Sequence, residues 1–385
     1  MRPAIFSKIL MLTIFISVFS LSVTAQFAND SGTFDVSDSY IWMIEHCEGG
    51  NCADNIMATS FYAMAMKMSG HSDSYGSQAV NYIISKEDGS LNCFPNNNCN
   101  VRDTAFAVWT LSNYGLSSNE PQEYIRNLLK VGLKDNWWLE VITNAENKTC
   151  KIGYPSNGDL EESIIKVDQG KFPECNAGQP ETYFDLNSCV PNQANLINNN
   201  PSIELTIDCS AIGPGTIIAI IYNSGSSYFV TSEATTSKYV TQIENACHPD
   251  FKDNPCNKDT SLWANWILYK QQSDILTNLW LLNNYDPLNV LDTSLLYLST
   301  KDQKKKEKYL EDLKNLQKLD GSFNKDNFET AIAVLALQAS ASSQELADAI
   351  AYLKKSRNSD GFWSSGKYSD IKTTAAVLHS AFAGA

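Results

Sequence analysis

Asp312-Leu313-Lys314-Asn315-Leu316-Gln317-Lys318-Leu319-Asp320-Gly321-Ser322-Phe323, followed by Glu329-Thr330-Ala331-Ile332-Ala333-Val334-Leu335-Ala336-Leu337, is a unit that the chain repeats before it ends. The second copy reads Tyr352-Leu353-Lys354-Lys355-Ser356-Arg357-Asn358-Ser359-Asp360-Gly361-Phe362-Trp363, then Thr374-Ala375-Ala376-Val377-Leu378. Each copy predicts an amphipathic helix, an Asp-Gly turn closed by an aromatic residue, and a second helix opening with Thr-Ala.

The opening of the second helix recurs along the chain, as expected of a repeat architecture. It appears as Ala58-Thr59-Ser60, Asp103-Thr104-Ala105, Asp259-Thr260-Ser261, Asp292-Thr293-Ser294, Glu329-Thr330-Ala331 and Thr373-Thr374-Ala375. Six helical hairpins follow from it: Val36 to Gly70, Ser77 to Gly115, Pro121 to Leu133 completed by Asp259 to Lys270, Asp274 to Thr300, Lys304 to Ser340, and Ser343 onward. The second helices are apolar nearly all round and the first ones amphipathic, which predicts an inner and an outer layer. Neither helix of a pair can bury its apolar face alone, so the units must stack on one another. The small residue after Thr is expected to let inner helices approach closely. The Thr and the acid before it are expected to cap the helix start.

Between the two halves of the third hairpin the periodicity changes. Trp138 to Ile142, Cys150 to Tyr154, Ser202 to Cys209, Thr216 to Tyr222 and Ser227 to Thr231 alternate as strands do, punctuated by Gly, Pro and Asn. The expected fold is therefore mainly α, an (α/α)6 toroid over residues 36–135 and 247–385. A small all-β, sandwich-like domain is inserted over residues 137–246.

Residues 1–25 read as a signal peptide: Arg2 and Lys8, an apolar run from Ile9 to Leu21, and a small-residue site at Val23-Thr24-Ala25. The apolar run is short for a membrane span, so a secreted or cell-surface protein with no stable span after cleavage is expected. Asn29-Asp30-Ser31 and Asn147-Lys148-Thr149 are glycosylation sequons. Loss of Arg2 and Lys8 takes the formal charge from −14 to −16. With no basic cluster evident, that acidity argues against nucleic acid and anionic membranes as partners. The ten cysteines suit an oxidising compartment. Cys47/Cys52, Cys93/Cys99 and Cys247/Cys256 are close pairs. Cys175 with Cys189 and Cys150 with Cys209 is the preferred arrangement of the other four, whose alternative pairings remain open.

The segments Gln317 to Phe323 with Glu329-Thr330-Ala331, and Asp360 to Trp363 with Thr374-Ala375, resemble the repeats of the terpenoid cyclase and protein prenyltransferase superfamily. The resemblance covers the helical segments and implies an α/α toroid of about six hairpins. It implies less about activity, because one ring serves several functions. Where squalene-type cyclases carry an Asp-x-Asp-Asp-Thr-Ala proton-donor motif, this chain has Asn100-Val101-Arg102-Asp103-Thr104-Ala105. The prenyltransferase zinc site needs a free inner-helix cysteine, and every cysteine here has a disulfide partner in prospect. Secreted cobalamin binders share the ring-plus-β plan, with the β domain after the ring.

Asp103, Asp259, Asp292 and Glu329 each begin an inner helix and would gather at one mouth of the ring. Carboxylates there could bind a ligand or act as general acid and base, or serve as caps alone. Trp109, Trp263, Trp266 and Phe106 are candidates to line an aromatic lumen, though such residues are more often core between the two helical layers. Asp103, Asp259, Asp292, Glu329, Trp109 and Trp263 are the candidate ligand-binding set. No metal or cofactor site is expected. The function expected is an exported, non-catalytic module that binds a protein, glycan or small molecule. The alternative is a terpene- or carbohydrate-active enzyme using the mouth carboxylates.

Overall fold

The computed structural model describes residues 34–156, 159–175, 182–273, 276–340 and 343–383. By its contacts the chain divides into Met1–Asp35 and Val36–Ala385, and every described helix and strand belongs to the second unit. The expected signal peptide and the Asn29 sequon lie outside the described residues.

The fold is mixed, with fourteen α-helices and ten strands among the described residues. The helices are α1 (Ser37–His46), α2 (Ile56–Met68), α3 (Ser77–Ser85), α4 (Val101–Asn113), α5 (Asn119–Asn127), α6 (Leu186–Cys189) and α7 (Pro191–Asn199), then α8 (Lys258–Lys270), α9 (Asn278–Asn283), α10 (Val290–Ser299), α11 (Gln303–Leu316), α12 (Asn327–Ser340), α13 (Ser343–Ser356) and α14 (Asp370–Ala381). Those carrying the Thr motif, α2, α4, α8, α10, α12 and α14, are buried over most of their length. On α11, by contrast, only Tyr309, Leu313 and Leu316 are buried, one stripe at helical spacing beneath a lysine-rich face.

The contacts of the Thr-motif helices form a closed cycle. Helix α2 packs on α4, α4 on α8, α8 on α10, α10 on α12, α12 on α14, and α14 on α2. The other helix of each hairpin lies on the buried helix of the hairpin before it: α3 on α2, α5 on α4, α9 on α8, α11 on α10 and α13 on α12. Helix α1, which has no earlier hairpin, lies on α14 of the last.

The Asp-Gly turn explains this stagger. Gly321 has φ +86°, and a Cβ there would meet the Asp348 carbonyl of α13 at 2.2 Å. Gly50 (φ +86°) is pressed in the same way against the backbone of Gln78 in α3, and Gly361 (φ +90°) against Asp38 of α1. Only glycine tolerates both this backbone conformation and so close an approach. The contact between Gly361 and α1 joins the last hairpin to the first in the manner of the internal joints.

The motif threonine does not cap its helix. The caps are Asn55, Asn100, Asn257, Asn289 and Ser369, and Asp326 accepts the Glu329 N–H of α12 at 2.9 Å. Instead, Oγ1 of Thr104, Thr330 and Thr374 accepts the backbone N–H of the turn aromatic, Phe94, Phe323 and Trp363 respectively, each at 3.0 Å. Thr104 and Thr330 pass their own protons to the carbonyls of Asn100 and Asp326. The hydroxyl thus satisfies a buried turn amide that no strand or helix would pair. The small residue beside it acts as expected in α2, where Ser60 donates across to the Phe106 carbonyl of α4 at 3.1 Å.

The helix expected to run to Leu133, α5, ends at Asn127, and the first strand takes up Lys130–Val131. The strands among the described residues all lie between α5 and α8. They are β1 (Lys130–Val131), β2 (Trp137–Ile142), β3 (Lys148–Ser156), β4 (Asp159–Val167), β5 (Tyr183–Asp185), β6 (Ser202–Asp208), β7 (Ile217–Ser224), β8 (Ser227–Thr235), β9 (Lys238–Glu244) and β10 (Ala246–Cys247). Two antiparallel four-stranded sheets run in the orders β5-β2-β7-β8 and β4-β3-β6-β9, and β1 pairs with β10 where the segment leaves and rejoins the helices. Along β2, Trp137, Leu139 and Val141 are buried and their neighbours less so, the alternation that the sequence displays. The segment is not all strand, however. Helix α7, with Pro191 at its first position, rests on β3 and β6, and Gln193 donates to the Ile152 carbonyl at 3.2 Å.

All five expected disulfides are present: Cys47–Cys52, Cys93–Cys99, Cys150–Cys209, Cys175–Cys189 and Cys247–Cys256. They suit an oxidising environment outside the cytosol. No described helix is long and apolar enough to cross a membrane.

Beside the last disulfide, His248 is 2 % exposed, and burial lowers its pKa from 6.5 to about 3. Below pH 6.5 the unfolded chain takes up a proton that the folded chain refuses, so stability falls with pH. The expected loss is about 2 kcal/mol between pH 7 and pH 5. Urea unfolding of the oxidised protein at both pH values, with His248→Gln reducing the difference by about this amount, checks this.

Candidate functional site

At the N-terminal ends of the buried helices, the four candidate carboxylates do not converge as bare groups. Asp103 accepts a bond from Asn100 Nδ2 at 2.8 Å. Asp259 pairs with Arg102 at 3.3 Å, both partly exposed. Asp292, 2 % exposed, accepts Lys258 Nζ at 2.6 Å and the Asp286 N–H at 3.1 Å. Burial still pushes its carboxyl above the usual range, against the opposing pull of these two bonds. Glu329, also buried, pairs with Lys367 and accepts Asn324 Nδ2 at 2.6 Å.

Two of these pairs join neighbouring helices: Arg102 of α4 reaches Asp259 of α8, and Lys258 of α8 reaches Asp292 of α10. The base preceding each motif acid, in Arg102-Asp103 and Lys258-Asp259, is the signal for this pairing. Three of the four acids at that end are thus ion-paired, and Asp103 is held by a neutral amide.

The aromatic candidates separate. Phe61 of α2, fully buried, is surrounded by Phe106 and Trp109 of α4, Trp263 of α8, Phe328 of α12 and His379 of α14, with ring centroids 5.3–6.3 Å away. Trp263 belongs to this packed centre and is 1 % exposed. It lines no open space. Trp109 occupies the next layer, against Trp266 at 5.3 Å and His379 at 5.2 Å, and there the packing stops.

Beyond Trp109 lies a cavity of about 510 Å³. All six buried helices reach it from their last turns: Met64 from α2, Trp109 from α4, Trp266 and Lys270 from α8, Leu298 from α10, Leu335 and Gln338 from α12, and His379 from α14. Its floor is aromatic and its rim carries amides and one ammonium. Among the described residues no carboxylate lines it. Two buried polar atoms on its wall, Trp266 Nε1 and His379 Nδ1, have no protein partner among the described residues. Such atoms cost free energy unless something meets them.

Burial, and then the charge of Lys270, lower the His379 pKa to about 4, so its ring is neutral at physiological pH. Lys270 is solvent-exposed as a residue, yet the protein around its end pulls its pKa below the ordinary lysine range. A site of this volume with an apolar floor and few convergent polar groups has the form of a small-molecule pocket. Of the six sequence candidates only Trp109 lines it. Trp266, a lumen candidate outside that set, lines it too, whereas Lys270, Gln271 and His379 were not ligand candidates, since residues at helix C-termini follow no shared motif here.

No known family model matches the chain, and no curated protein matches it.

Proposed function

We propose that the chain is an exported, non-catalytic binding protein. Its helices would form an (α/α)6 toroid of the terpenoid cyclase and prenyltransferase type, with a β-sandwich-like domain inserted in the third hairpin. Its ligand would be a small molecule with a planar or ring-shaped apolar body, held in the cavity at the C-terminal ends of the buried helices. The closed cycle of helix contacts, and the placing of α1 on α14, support the ring. The five disulfides support export.

The observation that carries the binding reading is the cavity itself: aromatic floor, two orphaned buried polar atoms, and no carboxylate among its described lining residues. Ring-shaped ligands suit Trp109 and Trp266, and an acceptor on the ligand would meet Trp266 Nε1–H. General acid–base chemistry has no support there. Of the candidate acids at the opposite ends, Asp259, Asp292 and Glu329 are committed to Arg102, Lys258 and Lys367, and Asp103 is held by the Asn100 amide.

Leu335→Trp tests the reading by filling the cavity from α12. In a thermal-shift screen of neutral aromatic and alicyclic compounds, hits are expected to raise the Tm of the wild-type chain and leave the variant unmoved. A hit at 100 times its Kd corresponds to about 2.7 kcal/mol. Hits that stabilise both proteins alike, or no hit at all, would count against the cavity as the site. Binding is expected to be constant from pH 8 to 5 and to weaken near pH 4, where His379 gains charge beside Lys270.

A further inference from the structure

A second concavity, a groove of about 1330 Å³, runs between the β8 side of the inserted segment and helices α8 to α11. One wall is Tyr228 to Thr231 of β8. The other carries Lys270, Lys301, Lys305 and Lys306 with one acid, Asp302, and a second acid, Glu244, comes from β9 of the inserted segment. In a chain of formal charge −14 this local excess of cations is out of character. Its sequence signal is Lys301-Asp302-Gln303-Lys304-Lys305-Lys306, a basic cluster that the overall acidity conceals.

Among the described residues one of these lysines, Lys305, has an ion-pair partner. Lys305 lies 3.8 Å from Asp302, whose carboxylate also caps α11 through the Lys304 and Lys305 amides. Lys301 sits over the Tyr269 ring at 6.0 Å and Lys306 over Tyr297 at 5.8 Å. Ring faces hold an ammonium in place without neutralising it. The wall is therefore a prepositioned row of positive charge.

The opposite wall offers hydrogen bonds. Strand β8 ends its sheet: β7 pairs with one of its edges and no described strand with the other. It is nine residues long, and Tyr228 and Val230 are 57 % and 58 % exposed. A long apolar edge is usually shortened, charged or covered, because it is a template for another strand. Here only Glu233 is charged within it.

We infer that the groove binds an extended acidic peptide segment, which adds to the free edge of β8 while its carboxylates face Lys301, Lys305 and Lys306. Strand addition supplies backbone bonds that any sequence can make, and the lysine row selects for acid. An acidic polysaccharide would satisfy the lysines and leave the strand edge unused, so the peptide fits more of the site.

The test uses the disulfide-intact protein and a fluorescein-labelled peptide of four Glu-Val repeats, followed by anisotropy. Binding is expected to weaken at least tenfold for the Gln-Val analogue and at least tenfold for Lys301→Gln/Lys305→Gln/Lys306→Gln. It is also expected to be lost when alternate peptide nitrogens are methylated, which leaves charge intact and removes the strand edge. Equal binding of the methylated peptide, or displacement by polygalacturonate at matched charge, would overturn the inference in favour of a surface for any polyanion. No binding of the Glu-Val peptide, or full binding by the lysine variant, would overturn it outright.

Discussion

Phe61→Ala is expected to lower the free energy of unfolding by about 3–5 kcal/mol, the range for a large aromatic deleted from a rigid core. Phe61 is fully buried, and rings from α4, α8, α12 and α14 surround it. No one helix can move inward to fill the space, because each is held by its two neighbours in the cycle. The void would persist, and its cost adds to the lost transfer free energy. Phe61→Leu, which keeps most of the volume, is expected to lose less than about 1.5 kcal/mol. Guanidinium unfolding without reductant measures both. An alanine variant within about 1 kcal/mol of wild type would mean that the helices do not depend on a common centre.

The second large effect is expected from Lys258→Met. It strips the ammonium from Asp292, a carboxylate 2 % exposed, and leaves it the Asp286 amide as its remaining bond. An uncompensated buried charge costs about 3 kcal/mol at pH 7. The pH dependence has a definite sign. Burial already raises the Asp292 pKa above 3.8, and loss of the lysine raises it further. The folded variant then binds a proton more readily than the unfolded chain, so the deficit is full above the folded pKa and shrinks as pH falls through it. Lys258→Met/Asp292→Leu is expected to recover most of the loss, because it removes the desolvated charge along with its partner. Unfolding of the single and double variants at pH 7 and 4.5 measures this. Equal losses in the two variants would show that the pair matters for shape and not for charge.

The helices were legible because their signals are local. Asp320-Gly321 and Asp360-Gly361 mark turns that only glycine fits, and a threonine at a fixed place in the next helix accepts the turn amide. The cysteine pairs were legible for a related reason, since three of the five close loops of a few residues.

The binding end was not legible. The repeat marks helix starts, so attention falls on Asp103, Asp259, Asp292 and Glu329. The cavity instead gathers residues such as Met64, Trp109, Lys270, Leu335 and His379 from the far ends of the same helices, which share no motif. The pairing of Asp259 and Asp292 depended on Arg102 and Lys258 reaching the next helix; a base beside a motif acid signals such a pair, but spacing alone does not show which acid it meets. Trp109 and Trp263 looked alike in sequence, and one layer of depth separates cavity floor from core. Helix α7 was missed because its Asn-rich stretch resembles the loops around it.

The most direct measurement is native mass spectrometry, without reductant, of the wild-type chain and Leu335→Trp, both purified from the culture medium of the native host. The wild type is expected to carry a small organic molecule that is released on denaturation, and Leu335→Trp to run at the bare mass of its oxidised chain. A bare wild type, or the same adduct on both proteins, would contradict a ligand site in the cavity.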